Sequence, residues 1–280
     1  MSKTQELIQQ LNDGVQALFV SDRYAEYLRF LASFPSYSAS NCYLIFSQMP
    51  TATLVKSYTD WTTSKFHRQV KRGSKAIKIL APHVYKEVDD DGTQHERLGF
   101  HVASCFDVSQ TYSIDDTPLP SITQLLDTEV DGYGDLLDVL LRVSPVPIDF
   151  LDIEGEARGY FSPSACRIVV QKDMSEADTL RTTLHEQAHA WVFSRLPDEH
   201  EHYNRRESEV IAESICYIVA NHIGLCVDDM SFGYVASWSS DKTLPELRNC
   251  LDTIRKISEL MIGKIEDALY ELREESTAVA

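Results

Sequence analysis

Apolar residues in the first 50 positions recur every three or four residues, the spacing that places them on one face of a helix. Residues 3–34 show this pattern and predict one or two amphipathic helices. Residues 41–48 are more continuously apolar and predict a further buried helix. That helix should end before Pro50, because proline cannot continue it. The chain is therefore expected to begin with packed helices.

Between residues 51 and 111 the pattern changes to short alternating runs, which are typical of β-strands. Residues 76–80 and 98–108 are the clearest of these runs. The three aspartates and the glycine at residues 89–92 predict the turn of a hairpin between them. No metal-ligand spacing continues beyond that turn, so a solvated turn is favoured over a calcium loop.

Residues 112–122 contain two prolines and no periodicity, which predicts a linker. The second half then predicts, in order, a helix at about 121–144, a strand at 148–153, a strand–turn–strand unit at 159–171 and a helix at about 175–194. These elements predict the α+β class. We expect a domain of mixed helix and β-sheet over residues 1–115. A second domain with a small sheet and a long helix would cover residues 116–280.

The composition is that of a soluble globular protein, with 43% apolar and 25% charged residues in a chain of 280. No apolar run has the length of a membrane span. The N-terminal segment is amphipathic and lacks the pattern of a secretory signal. We therefore expect a cytoplasmic protein with no membrane partner. The six cysteines include no CxxC pair, which argues against a disulfide framework and a cysteine zinc site.

The net charge of −17 is concentrated in the second half of the chain. Residues 1–120 hold 12 Lys and Arg against 13 Asp and Glu, whereas residues 121–280 hold 14 against 30. Within the first half, residues 56–78 hold seven basic residues and one acid, Asp60. The overall acidity argues against broad non-specific DNA binding but leaves room for a local basic groove.

Aromatic residues are interleaved with that basic stretch. Basic side chains would contact phosphates while flat rings would stack on bases, as a binder of single-stranded DNA requires. The candidate nucleic-acid-binding residues are Lys56, Trp61, Lys65, Arg68, Lys71, Arg72 and Lys75. The alternative is that Trp61 and Phe66 belong to a core and that the lysines merely solvate one face.

The most informative motif is His185-Glu186-Gln187-Ala188-His189. On a helix, His185 and His189 lie one turn apart on the same face, so both imidazoles can reach one zinc ion. Glu186 can then act as the general base on a water that the metal activates. A chance match in a chain of this length has odds on the order of a few per cent, so the surrounding sequence has to support the motif.

A second helix follows, and it supplies carboxylates. Asn204 and Glu207 form the pattern of a capping box, and Gly224 stands where a helix commonly ends. Glu209 and Glu213 are four residues apart and share a face. A zinc site with two histidines needs a third ligand and a carboxylate that holds a ligand imidazole, and these two residues supply both roles.

Glu209 is the nominated third ligand and Glu213 the supporting carboxylate, although spacing alone does not distinguish the two. The alternative is a solvated acidic helix face beside a chance histidine pair. The layout resembles the gluzincin metallopeptidases, in which the second helix provides the third ligand and an acidic residue one turn later.

The strands before the motif also carry a functional prediction. In zinc peptidases an exposed strand beside the metal helix can pair with an extended substrate. The candidate edge here is residues 159–161 or residues 167–171. A plain structural hairpin that covers the helix is the alternative.

The N-terminal half resembles the N-terminal domain of ArdC-type antirestriction proteins. The motifs that carry the resemblance are Tyr37-Ser38, Asn41, Gln48, Pro50, Ala52-Thr53, Trp61, Arg68-Gln69-Val70-Lys71, Gly73, Lys75, Ile77, Leu80-Ala81-Pro82 and residues 106–111. Residues 206–214 and 231–238 are most similar to the LtrC-like branch carried by mobile elements. The resemblance covers most of residues 20–240.

This resemblance implies a domain that binds single-stranded DNA, joined to a zincin-like metallopeptidase domain. It also implies a protein of conjugative elements that shields incoming DNA from restriction. We therefore expect an antirestriction-type protein with Zn²⁺ on His185, His189 and Glu209, Glu186 as base, and an unidentified protein or peptide substrate. Two alternatives are a DNA-protecting binder with a structural zinc and a regulatory protease that cleaves a repressor.

Overall fold

The structure is a computed structural model, which describes residues 2–19, 23–34, 36–63, 65–88, 94–115, 119, 133–225 and 232–279. The predicted turn at 89–92, most of the predicted linker at 112–122 and the first part of the helix predicted at 121–144 lie outside these residues.

Helices open the chain and strands follow them. The N-terminal half contains α1 (Lys3–Phe19), α2 (Arg23–Ala32), α3 (Ala39–Gln48), β1 (Val55–Ser57), α4 (Tyr58–Trp61), β2 (Arg68–Val70), β3 (Ile77–Val88), β4 (Gln94–Asp107) and β5 (Thr111–Ser113). The C-terminal half contains α5 (Tyr133–Val143), β6 (Ile148–Leu151), β7 (Gly159–Ser162), β8 (Arg167–Gln171), α6 (Glu176–Arg195), α7 (Pro197–His202), α8 (Arg205–His222), α9 (Gly233–Ser239) and α10 (Leu244–Val279). The α+β class, the early helices and the hairpin are thus confirmed.

The larger N-terminal sheet has the strand order β1–β4–β3, and every pairing in it is antiparallel. Helix α3 covers the free side of β3 through two side-chain amides. Asn41 accepts from the N–H of Leu80 and donates to its C=O, both at 2.9 Å. Gln48 does the same to the backbone of Lys78 at 2.9 and 2.8 Å. The two amides satisfy the backbone groups that a neighbouring strand would otherwise bind.

A smaller antiparallel pair, β2–β5, is held by its own apolar cluster. Trp61, Phe66 and Val70 are buried together there. The Trp61 indole N–H donates to the C=O of Phe106 at 2.9 Å, which satisfies its one donor inside the cluster.

The N-terminal and C-terminal helices share one apolar core. The hydroxyl groups of Tyr24 on α2 and Ser214 on α8 lie 2.9 Å apart in it, and the rings of Phe19 and Trp238 are 5.6 Å apart. Asp252 on α10 accepts from the N–H of Ala39 at 3.3 Å. The division at residue 115 therefore stays a prediction, and helices from both sides of it pack against one another.

The C-terminal sheet has the order β6–β8–β7, with β6 parallel and β7 antiparallel to β8. Helix α6 lies against β7 and β8, and Ile168, Val170 and Ala190 are buried between them. This packing sets the helix that carries the histidine motif directly beside the sheet. Within the described residues, no helix has the length and apolarity required to cross a membrane.

Candidate metal centre

Helix α6 places the two motif histidines side by side. It begins after Ser175, whose hydroxyl accepts from the N–H of Asp178, and aspartate in the first turn complements the helix dipole. His185 and His189 are one turn apart, and their ring centroids are 4.9 Å apart. Both side chains are about four-fifths buried, so neither ring is free to swing into solvent.

Helix α8 brings carboxylates to the same place. The predicted capping box is confirmed, because Asn204 and Glu207 each accept from the other's backbone N–H at 3.1 Å. The predicted end is confirmed too, with Gly224 at φ +76° and the N–H of Leu225 donating to the C=O of Ala220. Because α6 and α8 pack against each other, the glutamates of α8 face the histidines.

Three atoms converge on one point between these helices. The Nε2 atoms of His185 and His189 are 3.3 Å apart. Oε2 of Glu209 lies 3.4 Å from the first and 3.8 Å from the second. In a tetrahedral zinc site with bonds of about 2.0–2.1 Å, the ligand atoms lie about 3.3–3.4 Å apart. The donor set therefore fits a divalent metal, as a group of His185, His189 and Glu209.

Glu213 contacts the opposite side of the first imidazole. Its Oε2 lies 3.1 Å from Nδ1 of His185, and its Oε1 lies 3.7 Å from Nη2 of Arg181. A carboxylate on Nδ1 holds the proton there and leaves Nε2 as the lone-pair donor. The spacing in the sequence did not show whether Glu209 or Glu213 is the third ligand. In the structure these two carboxylates have different partners. Glu209 lies at the converging point and Glu213 lies behind His185.

The electrostatics of the cluster favour positive charge at this point. Burial alone lowers the pKa of His185, but its hydrogen bonds with Glu209 and Glu213 outweigh that effect and raise the pKa to about 10. The hydrogen bonds with His185 and His189 hold the pKa of the Glu209 carboxyl well below its usual range. A metal cation would provide the same compensation of the carboxylates.

Glu186 lies beside this cluster on the side of the sheet. It is 8% exposed, and burial raises the pKa of its carboxyl, against the lowering effect of the neighbouring imidazoles. The backbone N–H of Phe161 on β7 donates to it. A buried carboxylate with a raised pKa is suited to accept and return a proton.

Close approach of β7 to α6 depends on a glycine. A Cβ added at Gly159 would lie 2.6 Å from Cγ2 of Thr182 and 3.1 Å from Cγ of Glu186. Gly159 therefore lets the strand reach the Glu186 side chain. Sequence reasoning placed Gly159 in a candidate edge strand but did not predict this close approach, and it assigned no role to Arg181. The position of Arg181, four residues before His185, was a usable signal, but nothing local indicated Gly159.

The strand order decides between the two candidate edges. Strand β8 (Arg167–Gln171) lies between β6 and β7, so the prediction that residues 167–171 form the edge is wrong. Among the described residues, β6 and β7 (Gly159–Ser162) form the two edges of the sheet, and β7 packs on α6. Its backbone is thus placed to pair with an extended chain near the metal centre.

Other histidines near the motif do not join the cluster. His200 and His202 lie on the short helix α7. The His200 ring packs 5.2 Å from that of Phe193. Nε2 of His222, at the end of α8, lies 2.9 Å from Oε1 of Glu266 on α10. The Tyr203 hydroxyl lies 2.8 Å from that of Thr253 on α10.

The candidate DNA-binding residues separate into buried and exposed sets. Trp61 is fully buried, so the prediction that it stacks on bases is wrong, and the alternative that Trp61 and Phe66 form a core is confirmed. Arg68 turns inward and donates to the hydroxyl of Thr111 at 2.7 Å. The side chains of Lys65, Lys71, Arg72 and Lys75 are exposed, and that of Lys56 is partly buried.

Comparison with known proteins adds a domain match in the N-terminal part and a fold. Residues 2–108 match the model for the N-terminal domain of anti-restriction factor ArdC. The chain is also 24% identical over 292 aligned residues to the uncharacterized protein pXO2-81 of Bacillus anthracis. That match covers 89% of this chain and 49% of the relative, so the chain spans about half of the relative's length.

Two solved structures share the fold. Both are crystal structures of the antirestriction protein ArdC from plasmid R388. The metal-free one has a TM-score of 0.63 at 18% identity and covers 92% of this chain and 97% of its own. The Mn(II)-bound one has a TM-score of 0.56 at 16% identity, with coverage of 96% and 98%. The likeness at this identity establishes the fold.

Proposed function

We propose that the chain is an ArdC-type antirestriction protein, because residues 2–108 match the ArdC N-terminal domain and most of its length shares the fold of ArdC. In this proposal it is encoded on mobile DNA, binds single-stranded DNA through its N-terminal part and carries a zinc-dependent peptidase site. The ArdC protein of the matched structures comes from plasmid R388, which supports the mobile origin.

The observation that carries the peptidase proposal is the convergence of three donor atoms at 3.3, 3.4 and 3.8 Å beside a buried glutamate. His185, His189 and Glu209 would hold the metal, and Mn(II) in the R388 protein supports a divalent ion here. Bound zinc would supply a Lewis acid that polarises a carbonyl and lowers the pKa of water. The Glu209 side chain is 48% exposed, so the centre faces solvent as a catalytic site must.

The protein's own groups perform the proton transfers. The Glu186 carboxylate accepts the proton of the attacking water and later returns it to the leaving amine. The N–H of Phe161 donates to that carboxylate, and burial raises the pKa of the carboxyl. An extended substrate would pair with the edge of β7 and present its scissile carbonyl near Glu186. Glu213 and Arg181 hold the His185 ring in place.

Replacement of Glu186 by Gln tests this mechanism. We expect E186Q to retain one bound metal by mass spectrometry of the native protein but to lose cleavage of fluorescent casein by at least about 100-fold. Glu266→Gln, which changes a carboxylate paired with a histidine elsewhere, should cleave like the parent protein. Undiminished cleavage by E186Q would refute the proposal that Glu186 is the base.

The role of the site in antirestriction has its own readout, the transfer of a conjugative plasmid into a restricting host. Loss of protection with E186Q would link protection to proteolysis of a host or element protein, including a repressor. Protection that survives E186Q would favour a DNA-protecting binder in which the zinc is structural.

A further inference from the structure

Two exposed tyrosines on the N-terminal part of the molecule are both neighbours of one glutamine, Gln69. Tyr58 and Tyr112 are 49% and 51% exposed. The amide of Gln69 donates to the Tyr58 hydroxyl at 2.6 Å. Gln69 on β2 is also directly opposite Tyr112 on β5. Because residues directly opposite in paired strands share a face, the glutamine side chain lies beside both rings.

Strand parity brings a lysine onto the same face. Val70 and Thr111 point inward and are buried, so Gln69, Lys71 and Tyr112 point outward. Lys71 is exposed and donates to the C=O of Ser109 at 2.9 Å, which keeps its ammonium near the strand end. The outward face of the β2–β5 pair thus combines two rings, an amide and a cation.

The surroundings of these rings favour a polyanion. Tyr58 follows β1, which carries Lys56, and its ring is 6.4 Å from that of Phe106. The acid in this stretch, Asp60, accepts from the hydroxyl of Ser57 at 2.7 Å. Flat exposed rings beside lysines are the combination that binds single-stranded nucleic acid, because rings stack on bases while cations contact phosphates.

We propose that Tyr58 and Tyr112 are the base-stacking platform for single-stranded DNA, with Gln69 fixing the Tyr58 ring and Lys71 contacting the phosphate backbone. The inference rests on the proposed binding of single-stranded DNA and assigns it a site. The stacking role that the sequence predicted for the buried Trp61 is thus assigned to two rings that bases can reach. A strand of DNA would run along β2 and β5 rather than along the acidic C-terminal half.

The test measures binding of a fluorescein-labelled 20-nucleotide oligodeoxythymidine to the full chain by anisotropy. We expect Y58A/Y112A to bind at least about tenfold more weakly, since loss of stacking at one base already costs about that much. The variant Y58F/Y112F keeps both ring faces and should bind within about twofold of the parent. The matched control is Y85A/F100A, which removes two rings of similar exposure, 46% and 48%, from the β3–β4 hairpin of the same domain.

Salt dependence separates the rings from the lysine. K71A should reduce the slope of log K against log salt by about 0.7, the contribution of one phosphate contact on a single strand. Y58A/Y112A should leave that slope unchanged, because stacking releases no counterions. Circular dichroism verifies that each variant is folded.

Three other results of the binding experiment would contradict the proposal. Normal binding by Y58A/Y112A would overturn the platform while leaving single-strand binding intact. A larger loss in Y85A/F100A would place the strand on the hairpin and also overturn it. No binding by the parent protein would overturn both this inference and the proposed DNA binding.

Discussion

The metal centre and the basic region of the N-terminal half differ in how their side chains come together. At the metal centre, two helices each contribute residues four apart, and helical geometry makes such residues neighbours regardless of the rest of the fold. In the basic region the side chains lie on short strands and connections. A shift of one residue along a strand moves a side chain to the opposite face of the sheet. Helix-borne sites are therefore easier to recognise in a sequence than strand-borne ones.

Within the basic region, the clearest contrast is between the buried ring of Trp61 and the exposed ring of Tyr58. Trp61→Ala should lower the free energy of unfolding by about 3–5 kcal/mol, because it empties the small core of Phe66 and Val70. Tyr58→Ala removes a half-exposed ring and should cost less than about 1 kcal/mol. Urea denaturation followed by far-UV circular dichroism measures both, and equal losses would contradict the division into buried and accessible aromatics.

Substitution of Glu213 tests whether a residue that is not a ligand contributes to metal binding. Glu213→Gln should weaken metal binding about 10–100-fold, because a neutral amide holds the Nδ1 proton of His185 less strongly. Glu266→Gln, which alters a similar pair with His222 at the far end of α8, should leave metal affinity unchanged. Competition with a chromogenic chelator gives both affinities. If the two variants behaved alike, Glu213 would have no special relation to the metal.

Substitution of Gly159 tests the close contact between strand β7 and helix α6, which carries the metal centre. Gly159→Ala should cost about 1–3 kcal/mol of stability through overpacking against Thr182 and Glu186. The metal affinity should stay near that of the parent protein, since neither contact involves a ligand. Thr182→Ala removes the nearer obstacle at 2.6 Å, so adding it should restore part of the loss. The single Thr182→Ala variant is the baseline, and a purely additive double variant would contradict the proposed contact.

Much of the fold and the centre was predictable, for reasons visible in particular residues. Ser175, Asn204 and Gly224 act within one helical turn, so the ends of α6 and α8 follow from local sequence. Trp61 was not assignable, since its burial depends on strands β2 and β5, more than 40 residues apart. The edge position of β7 likewise depends on β6 pairing with β8 across the hairpin. Pairing between strands that are far apart in the chain cannot be recognised from a short stretch of sequence.

The Tyr24–Ser214 and Ala39–Asp252 hydrogen bonds have a thermodynamic consequence. Because they lie where N-terminal and C-terminal helices meet in one core, the two halves should unfold in a single cooperative transition. A ligand that binds either half then stabilises the other by mass action. Metal taken up between α6 and α8 would thus raise the melting temperature of the surface formed by β2 and β5, without any change of shape passing between the two sites.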